Sequence, residues 1–244
     1  MPETKHIIIL ANSARAGKHC VAGKVVTPRA GGNFVFHNQW IRLNCSSDPE
    51  GAVPYGATIC QNHGSIRPLD VIKLTLHSPC NDPDHPEDWH YDLTQPWQFI
   101  SRVDPVHLRD LADTPERIWH DHGDNRSVPA GYVPRMGAVA ATLYLIKSPP
   151  GWTFTHWKEP NHYGPSPKTF RRLEFSYAGA RHDFSVTDTD FTRRHKIYDI
   201  MQLYTHQTLP ILNPGNAYFC LSLTKLTPKF SREHHKICAT IFEI

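Results

Sequence analysis

The apolar positions of this chain come in short, dense clusters separated by polar, proline-rich stretches. Ile7-Ile8-Ile9-Leu10 is a run with no polar break, the pattern of a buried central strand. Residues 11–24, ANSARAGKHCVAGK, are polar and contain glycine, and they read as a loop. Residues 34–43 carry aromatic and apolar side chains suited to a hairpin, with Trp40 and Arg42 near its end. Apolar and polar positions alternate over residues 71–76, as in a half-buried strand, and residues 97–103 offer another. At Asp113-Thr114-Pro115 a capping residue precedes a proline, which predicts the start of a short helix.

Residues 121–137 are polar and rich in glycine and proline, and the boundary between two units is placed there, at 125/126. Beyond it, residues 138–146 predict a strand. Residues 170–177 and 181–186 flank Ala178-Gly179-Ala180 as the arms of a hairpin. Leu173, Phe175 and Tyr177 would share one face of the first arm, and His182, Phe184 and Val186 one face of the second. Thr187-Asp188 supplies an N-cap for a helix over residues 191–203. Residues 217–223 and 237–244 close the chain as strands. The fold class that follows is mainly β with short helices: two tandem OB-like small β-barrels, spanning residues 1–125 and 126–244.

Composition narrows this picture only slightly. A chain of 244 residues with 39% hydrophobic and 20% charged residues can bury a core without metal or disulfide staples. The 21 prolines fall mostly between the apolar runs, as they should in a protein of many short strands. A formal net charge of +3 neither demands nor forbids a polyanionic partner, so local clustering must decide. The 17 histidines are unusual, and they predict a rise in positive charge as pH falls toward about 6. Six cysteines without close pairing, a polar start with no signal-peptide architecture and no apolar run of membrane-span length predict a cytoplasmic protein with free thiols.

Three stretches carry candidate chemistry. The segment holding Asn12, Ser13, Arg15, Lys18, His19 and Lys24 sets cations beside glycines, a combination that suits phosphate. It is not a P-loop: five residues separate Gly17 from Gly23-Lys24, and Val25 stands where a Ser or Thr is required. Cys20 lies in the same segment, where a thiolate would be favoured, although a packed cysteine is the simpler reading. The second stretch, Asp82, Asp84, His85, Glu87, Asp88 and His90, offers oxygen and imidazole ligands but follows neither the EF-hand nor the HExxH pattern. Third, Arg171-Arg172 and His234-His235-Lys236 would form a cationic groove if they share a barrel face. Trp152, Trp157, Tyr163 and Phe170 would offer stacking surfaces beside it, as a single strand requires.

Several of these segments together resemble a known family. KHIIILANSARAGKHCVAGK, Trp40-Ile41-Arg42 and Pro86-Glu87-Asp88-Trp89 are similar to the N-terminal half of the prokaryotic dual OB-containing domain family. FSYAGARHDFSVTD, residues 218–226 and the closing HHKICATIFEI continue the likeness into the second half. One departure is Thr224-Lys225, which stands where the resemblance leads one to expect a Gly-acid turn. The resemblance implies two OB-like barrels and a role in recognising nucleic acid or nucleotides, in bacterial conflict or defence systems. It supplies no catalytic residues.

The expectation is therefore a non-enzymatic module that binds single-stranded nucleic acid or a nucleotide, with no cofactor, no bound metal and no membrane partner. Asn12, Ser13, Arg15, Lys18 and Lys24 would meet the ligand first, with Arg42, Arg171, Arg172 and Lys236 as further contacts. The rivals are a metal- or cysteine-dependent enzyme acting on nucleotides or nucleic acid, and an adaptor that binds protein partners.

Overall fold

A computed structural model of the chain describes residues 2–15, 18–48, 51–120, 124–161, 165–195, 207–208, 217–226 and 232–244, with backbone alone at 14–15 and 207–208. The first half is a closed five-stranded barrel. Its strands are β1 (Glu3–Arg15), β2 (Lys18–Pro28), β3 (Phe34–Asn44), β4 (Asp70–Pro79) and β5 (Asp88–Tyr91). β1 pairs with β2 and β2 with β3, both antiparallel. β3 runs parallel to β5, β5 pairs with β4, and β4 returns to β1. That circuit, 1-2-3-5-4-1 with one parallel contact, leaves no free edge between first and last strand. A further strand, β6 (Gln98–Arg102), extends the outer edge of β4.

Residues 11–15 and 18–24 are thus no loop but paired arms of β1 and β2. Gly23 serves the barrel wall rather than a ligand. A Cβ at Gly23 would lie 2.0 Å from the carbonyl oxygen of Ile8, so only a hydrogen fits where the two strands approach. Residues 34–43 likewise form one arm, β3, and not a hairpin of their own. No helix starts at Asp113-Thr114-Pro115; the capped helical turn lies upstream, at a different Asp-Pro pair. Asp104 accepts from the Val106 amide at 2.9 Å ahead of Pro105, and α1 (Leu108–Leu111) ends before Asp113.

The second half contains β7 (Ser127–Pro129), α2 (Tyr132–Arg135), β8 (Leu143–Lys147) and β9 (Thr153–Glu159). It continues through β10 (Lys168–Tyr177), β11 (Ala180–Val186), α3 (Thr189–Arg194), β12 (Ala217–Leu223) and β13 (Glu233–Glu243). β9, β10 and β11 form an antiparallel meander, β11 runs parallel to β13, and β13 pairs with β12. This is the strand order of the first barrel, parallel contact included. The extra strand β8 pairs with β12 on the edge that its counterpart in the first barrel gives to the opening strand. The expected strand over 138–146 begins only at Leu143, after a tight turn at Gly137–Val139. Ala178 and Gly179 make the two-residue β10–β11 turn with φ of 49° and 81°, the left-handed pair that a type I′ hairpin needs. Asp188 caps α3, accepting from the Phe191 amide at 2.8 Å; residues 196–203 of the expected helix lie outside the described residues.

Three apolar clusters explain why some runs carry no polar break. Ile7 and Ile9 point into the first barrel with Val21, Ile41 and Ile72, whereas Ile8 and Leu10 point out of it. They meet Leu143, Leu145, Tyr218, Cys220 and Phe242 of the second half. On β12 the pattern repeats: Ala217, Phe219 and Leu221 face the second interior with Trp119, Phe154 and Phe184, and Tyr218 and Cys220 face the first half. Both strands are buried on both faces, and an unbroken apolar run is what that requires. Ile118 and Trp119 already pack in the second core, while Leu108 and Leu111 belong to the shared cluster. Among the described residues no helix is long and apolar enough to cross a membrane.

Candidate ligand-binding site

The shared apolar cluster is flanked by polar contacts, and most of the sequence-predicted cations sit in these or in similar interior ion pairs. Lys24 is 1% exposed. Its ammonium donates to Asn38 Oδ1 at 2.7 Å, to the Leu111 carbonyl at 2.7 Å and to Asp113 Oδ1 at 2.6 Å. Asp113 Oδ2 accepts from Trp40 Nε1 at 3.1 Å and from the Leu145 amide at 2.8 Å, so one carboxylate ties β2, β3 and β8 together. Burial pulls the Lys24 ammonium below the usual lysine value, and the Asp113 carboxylate opposes that pull.

Arg42 anchors the other polar contacts. It donates to His85 Nδ1 at 2.6 Å and to Thr142 Oγ1 at 2.7 Å, and its Nη1 lies 3.3 Å from Asp88 Oδ1. Asp88 Oδ2 also pairs with Lys225 at 2.7 Å and accepts from Asn44 at 3.1 Å. Glu87 accepts from the Thr142 amide and hydroxyl, each at 2.7 Å. Asp84 accepts from the Gly131 amide at 3.2 Å and lies 3.5 Å from His234 Nε2. The acidic stretch 82–90 is therefore directed at the second half. Among the described residues no group of three or more His, Cys, Asp or Glu side chains is arranged to hold a metal ion.

The second-half cations are also engaged. Arg172 Nε donates to Asp183 Oδ1 at 2.5 Å, and Arg126 Nε takes the other oxygen at 2.6 Å. Lys236, 0% exposed, donates to the Asn125 carbonyl at 3.1 Å, and β7 pairs along β13 beside it. Arg172 and Lys236 lie on β10 and β13 with β11 between them, and Asp183 and the chain around β7 neutralise and cover them. Arg171 sits opposite His156, whose pKa is held down by burial and by that guanidinium. Asn12 donates to the Ile66 carbonyl at 2.9 Å, and its Oδ1 lies 2.7 Å from His19 Nδ1. Lys18 is ion-paired with Asp48. Arg15 ends β1 opposite Lys18, and its side chain lies outside the described residues. Trp152 is core; Trp157 and Phe170 stack on each other across β9 and β10; Tyr163 lies outside the described residues. His6, His19, His156 and His182 all have pKa values lowered chiefly by burial, so each takes up its proton at a lower pH than a free imidazole.

Three of the concave surfaces carry cationic side chains from the barrels or the space between them. A cleft of about 220 Å³ opens between the halves, with Ser13, Cys20, Arg42 and Asp88 on one wall and Thr224, Lys225 and His235 on the other. On the first half, a groove of about 440 Å³ is lined by Arg29, Asn33, Phe34, Phe36, Arg102 and His107. A third groove, of about 270 Å³, is lined by Arg67, Arg102, Arg193 and Arg194 with Asp190 and Glu243. Arg102 belongs to both of these grooves, so the two adjoin, and all five arginines are exposed. Arg102 is oriented by Asp70 at 2.9 Å, Arg193 by Asp190 at 2.5 Å and Arg194 by Glu243 at 3.0 Å. Arg29 and Arg67 make no side-chain ion pair among the described residues. Phe36 and His107 lie 5.4 Å apart, half-buried, in the larger groove. Sequence reasoning passed over these arginines because Arg29, Arg67 and Arg102 each stand alone in their segments and Arg193-Arg194 fell inside an expected helix; only the fold brings them together.

The sequence profile of the dual OB-containing domain matches residues 5–241, nearly the whole chain, in agreement with the doubled strand order. The chain belongs to the dual OB-containing domain family. No curated protein matches it. Membership accounts for the two barrels and fits a binding module, since OB barrels present the face of their second and third strands, with the loops around it, to ligands. The larger arginine groove is lined in part by β3 and by the β2–β3 connection.

Proposed function

We propose that this dual OB protein is a non-enzymatic module that binds single-stranded nucleic acid across the arginine-lined face. The observation that carries the reading is the adjoining pair of grooves, in which Arg29, Arg67, Arg102, Arg193 and Arg194 accompany Phe34, Phe36 and His107. Guanidinium groups suit phosphates through paired N–H donors, and half-buried rings give bases a surface for stacking without regard to sequence. The face draws on both halves, with Arg29, Arg67 and Arg102 from the first and Arg193 and Arg194 from the second, which gives the doubling of the barrel a purpose. Ser13 and Arg42, expected at the ligand, stand in the separate cleft between the halves.

The test is a fluorescence-anisotropy titration of the full chain with a labelled oligo-dT or oligo-U at several salt concentrations. Binding at low salt that weakens with a slope of about 0.7 per neutralised phosphate supports the reading. Absence of binding to any single strand at low salt contradicts it.

A further inference from the structure

The join between the barrels holds one contact that its hydrogen bonds leave incomplete. His234 stands on β13 of the second half and is 0% exposed. Its Nδ1 lies 2.7 Å from the Thr224 carbonyl oxygen. A carbonyl only accepts, so Nδ1 carries the ring proton, and the neutral imidazole has a bare lone pair at Nε2. Nε2 makes no hydrogen bond, and 3.5 Å away it meets Oδ1 of Asp84, from the first half. Two acceptors, one of them fully buried, thus face each other across the join. That arrangement is unfavourable until a proton lies between them.

The neighbouring groups decide which side chain takes that proton. His85 presents its ring edge-on to His234, with centroids 5.3 Å apart, but its Nδ1 accepts from Arg42 at 2.6 Å. A guanidinium only donates, so a proton on that nitrogen would break the Arg42 bond. Asp88 is taken by Arg42 and Lys225, and Glu87 by the Thr142 amide and hydroxyl. Before and along β7, Asp124 accepts from the Ser127 hydroxyl and Arg126 pairs with Asp183. On β13 itself, Lys236 shares the buried face of His234 and donates to the Asn125 carbonyl, whereas Glu233 and His235 alternate onto the exposed side. Asp84 accepts the Gly131 amide, and among the described residues its one ion-pair contact is His234. Its side chain is 21% exposed, which gives a proton a way in from water.

We propose that His234 is a proton-operated latch between the two barrels: a proton taken from water at Nε2 turns the facing acceptors into an imidazolium–carboxylate bond with Asp84. The latch closes as pH falls through the range in which imidazoles gain charge, and it opens as pH rises. Arg102 belongs to one half and Arg193 and Arg194 to the other, so the tie also steadies the groove they share. The latch itself needs no ligand and stands whether or not that groove binds a strand.

A double-mutant cycle in the full chain tests the latch, with Asp84→Asn, His234→Phe and the two together, read by urea unfolding. The coupling between the two positions should be about five-fold or more in the unfolding equilibrium constant at about pH 6.5, and should vanish by about pH 8.5. Both conditions lie above the pH of about 4 at which buried His182 takes up its proton. A merely structural contact would give the same coupling at the two pH values. Ring-nitrogen NMR of the unmodified protein supplies a second readout that does not depend on how the variants fold. Nε2 of His234 should carry a proton at the lower pH and lose it at the higher, while Nδ1 keeps its proton throughout. Coupling that does not change with pH, or a bare Nε2 at the lower pH, would overturn the inference.

Discussion

The cations inside the molecule and the arginines on its face are the same kinds of residue given opposite tasks. Lys24, Arg42 and Lys236 are buried and matched to carboxylates, carbonyls or an imidazole, and the first two help join the barrels. Arg29, Arg67, Arg102, Arg193 and Arg194 are exposed around two grooves, and two of them carry no ion pair among the described residues. Desolvation separates the two groups. A buried cation is held by its partners at a cost that no ligand could repay, whereas an exposed guanidinium can exchange water and counterions for phosphate. Positive charge in a sequence therefore says little about binding until its partners are known.

Removing one buried partner should have the largest effect. Lys24→Ala leaves Asp113 without its ammonium beneath Trp40 and is expected to cost about 3–5 kcal/mol, read as a lower urea midpoint. A loss below about 1 kcal/mol would mean that this ion pair is not part of the join. The paired change Lys24→Met with Asp113→Leu should recover much of the loss, because it leaves no charge behind.

Acid gives a second route to the interior. His182 is 1% exposed, and burial, with Lys236 and His120 beside it, pushes its pKa down to about 4. The unfolded chain takes up a proton near pH 6.5 that the folded chain refuses until about pH 4. The stability linked to this group is therefore complete above about pH 6.5 and falls as pH drops toward 4, by up to roughly 3 kcal/mol. Urea midpoints of wild type and His182→Phe between pH 7 and 4.5 check this: the variant should lose less stability. Parallel curves would show that His182 is not the group responsible.

A smaller effect belongs to the β10–β11 turn, which lines neither arginine groove. Ala178 has φ of 49°, where asparagine or glycine is more at ease. Ala178→Asn should raise stability by no more than about 1 kcal/mol and leave oligonucleotide affinity unchanged. A destabilised variant would mean that the turn is not of the type described.

The uneven legibility of the sequence has the same root. Ile7 to Leu10 and residues 217–223 could be read as buried strands because a strand covered on both faces needs an unbroken apolar run. The 168–186 hairpin was legible because its signals, alternating apolar residues about an Ala-Gly turn, are local. Segment 11–24 read as a phosphate loop because its glycine and lysine look alike whether they serve a ligand or a barrel wall. The partners that decide lie far off: Asp113 is 89 residues from Lys24, and Thr142 is 100 residues from Arg42. The arginine face was illegible for the converse reason. Its members are scattered from position 29 to position 194, and only the pairing of two barrels brings them together.

The most direct test of the arginine face is the salt dependence of oligonucleotide binding in wild type and in the double variant Arg29→Ala, Arg67→Ala. Both side chains are exposed, so stability should change by no more than about 0.5 kcal/mol. The log–log salt slope should become shallower by up to about 1.4, or about 0.7 for each phosphate that no longer meets a guanidinium. That result would place the strand on this face. A double variant with wild-type affinity and wild-type slope would contradict the account.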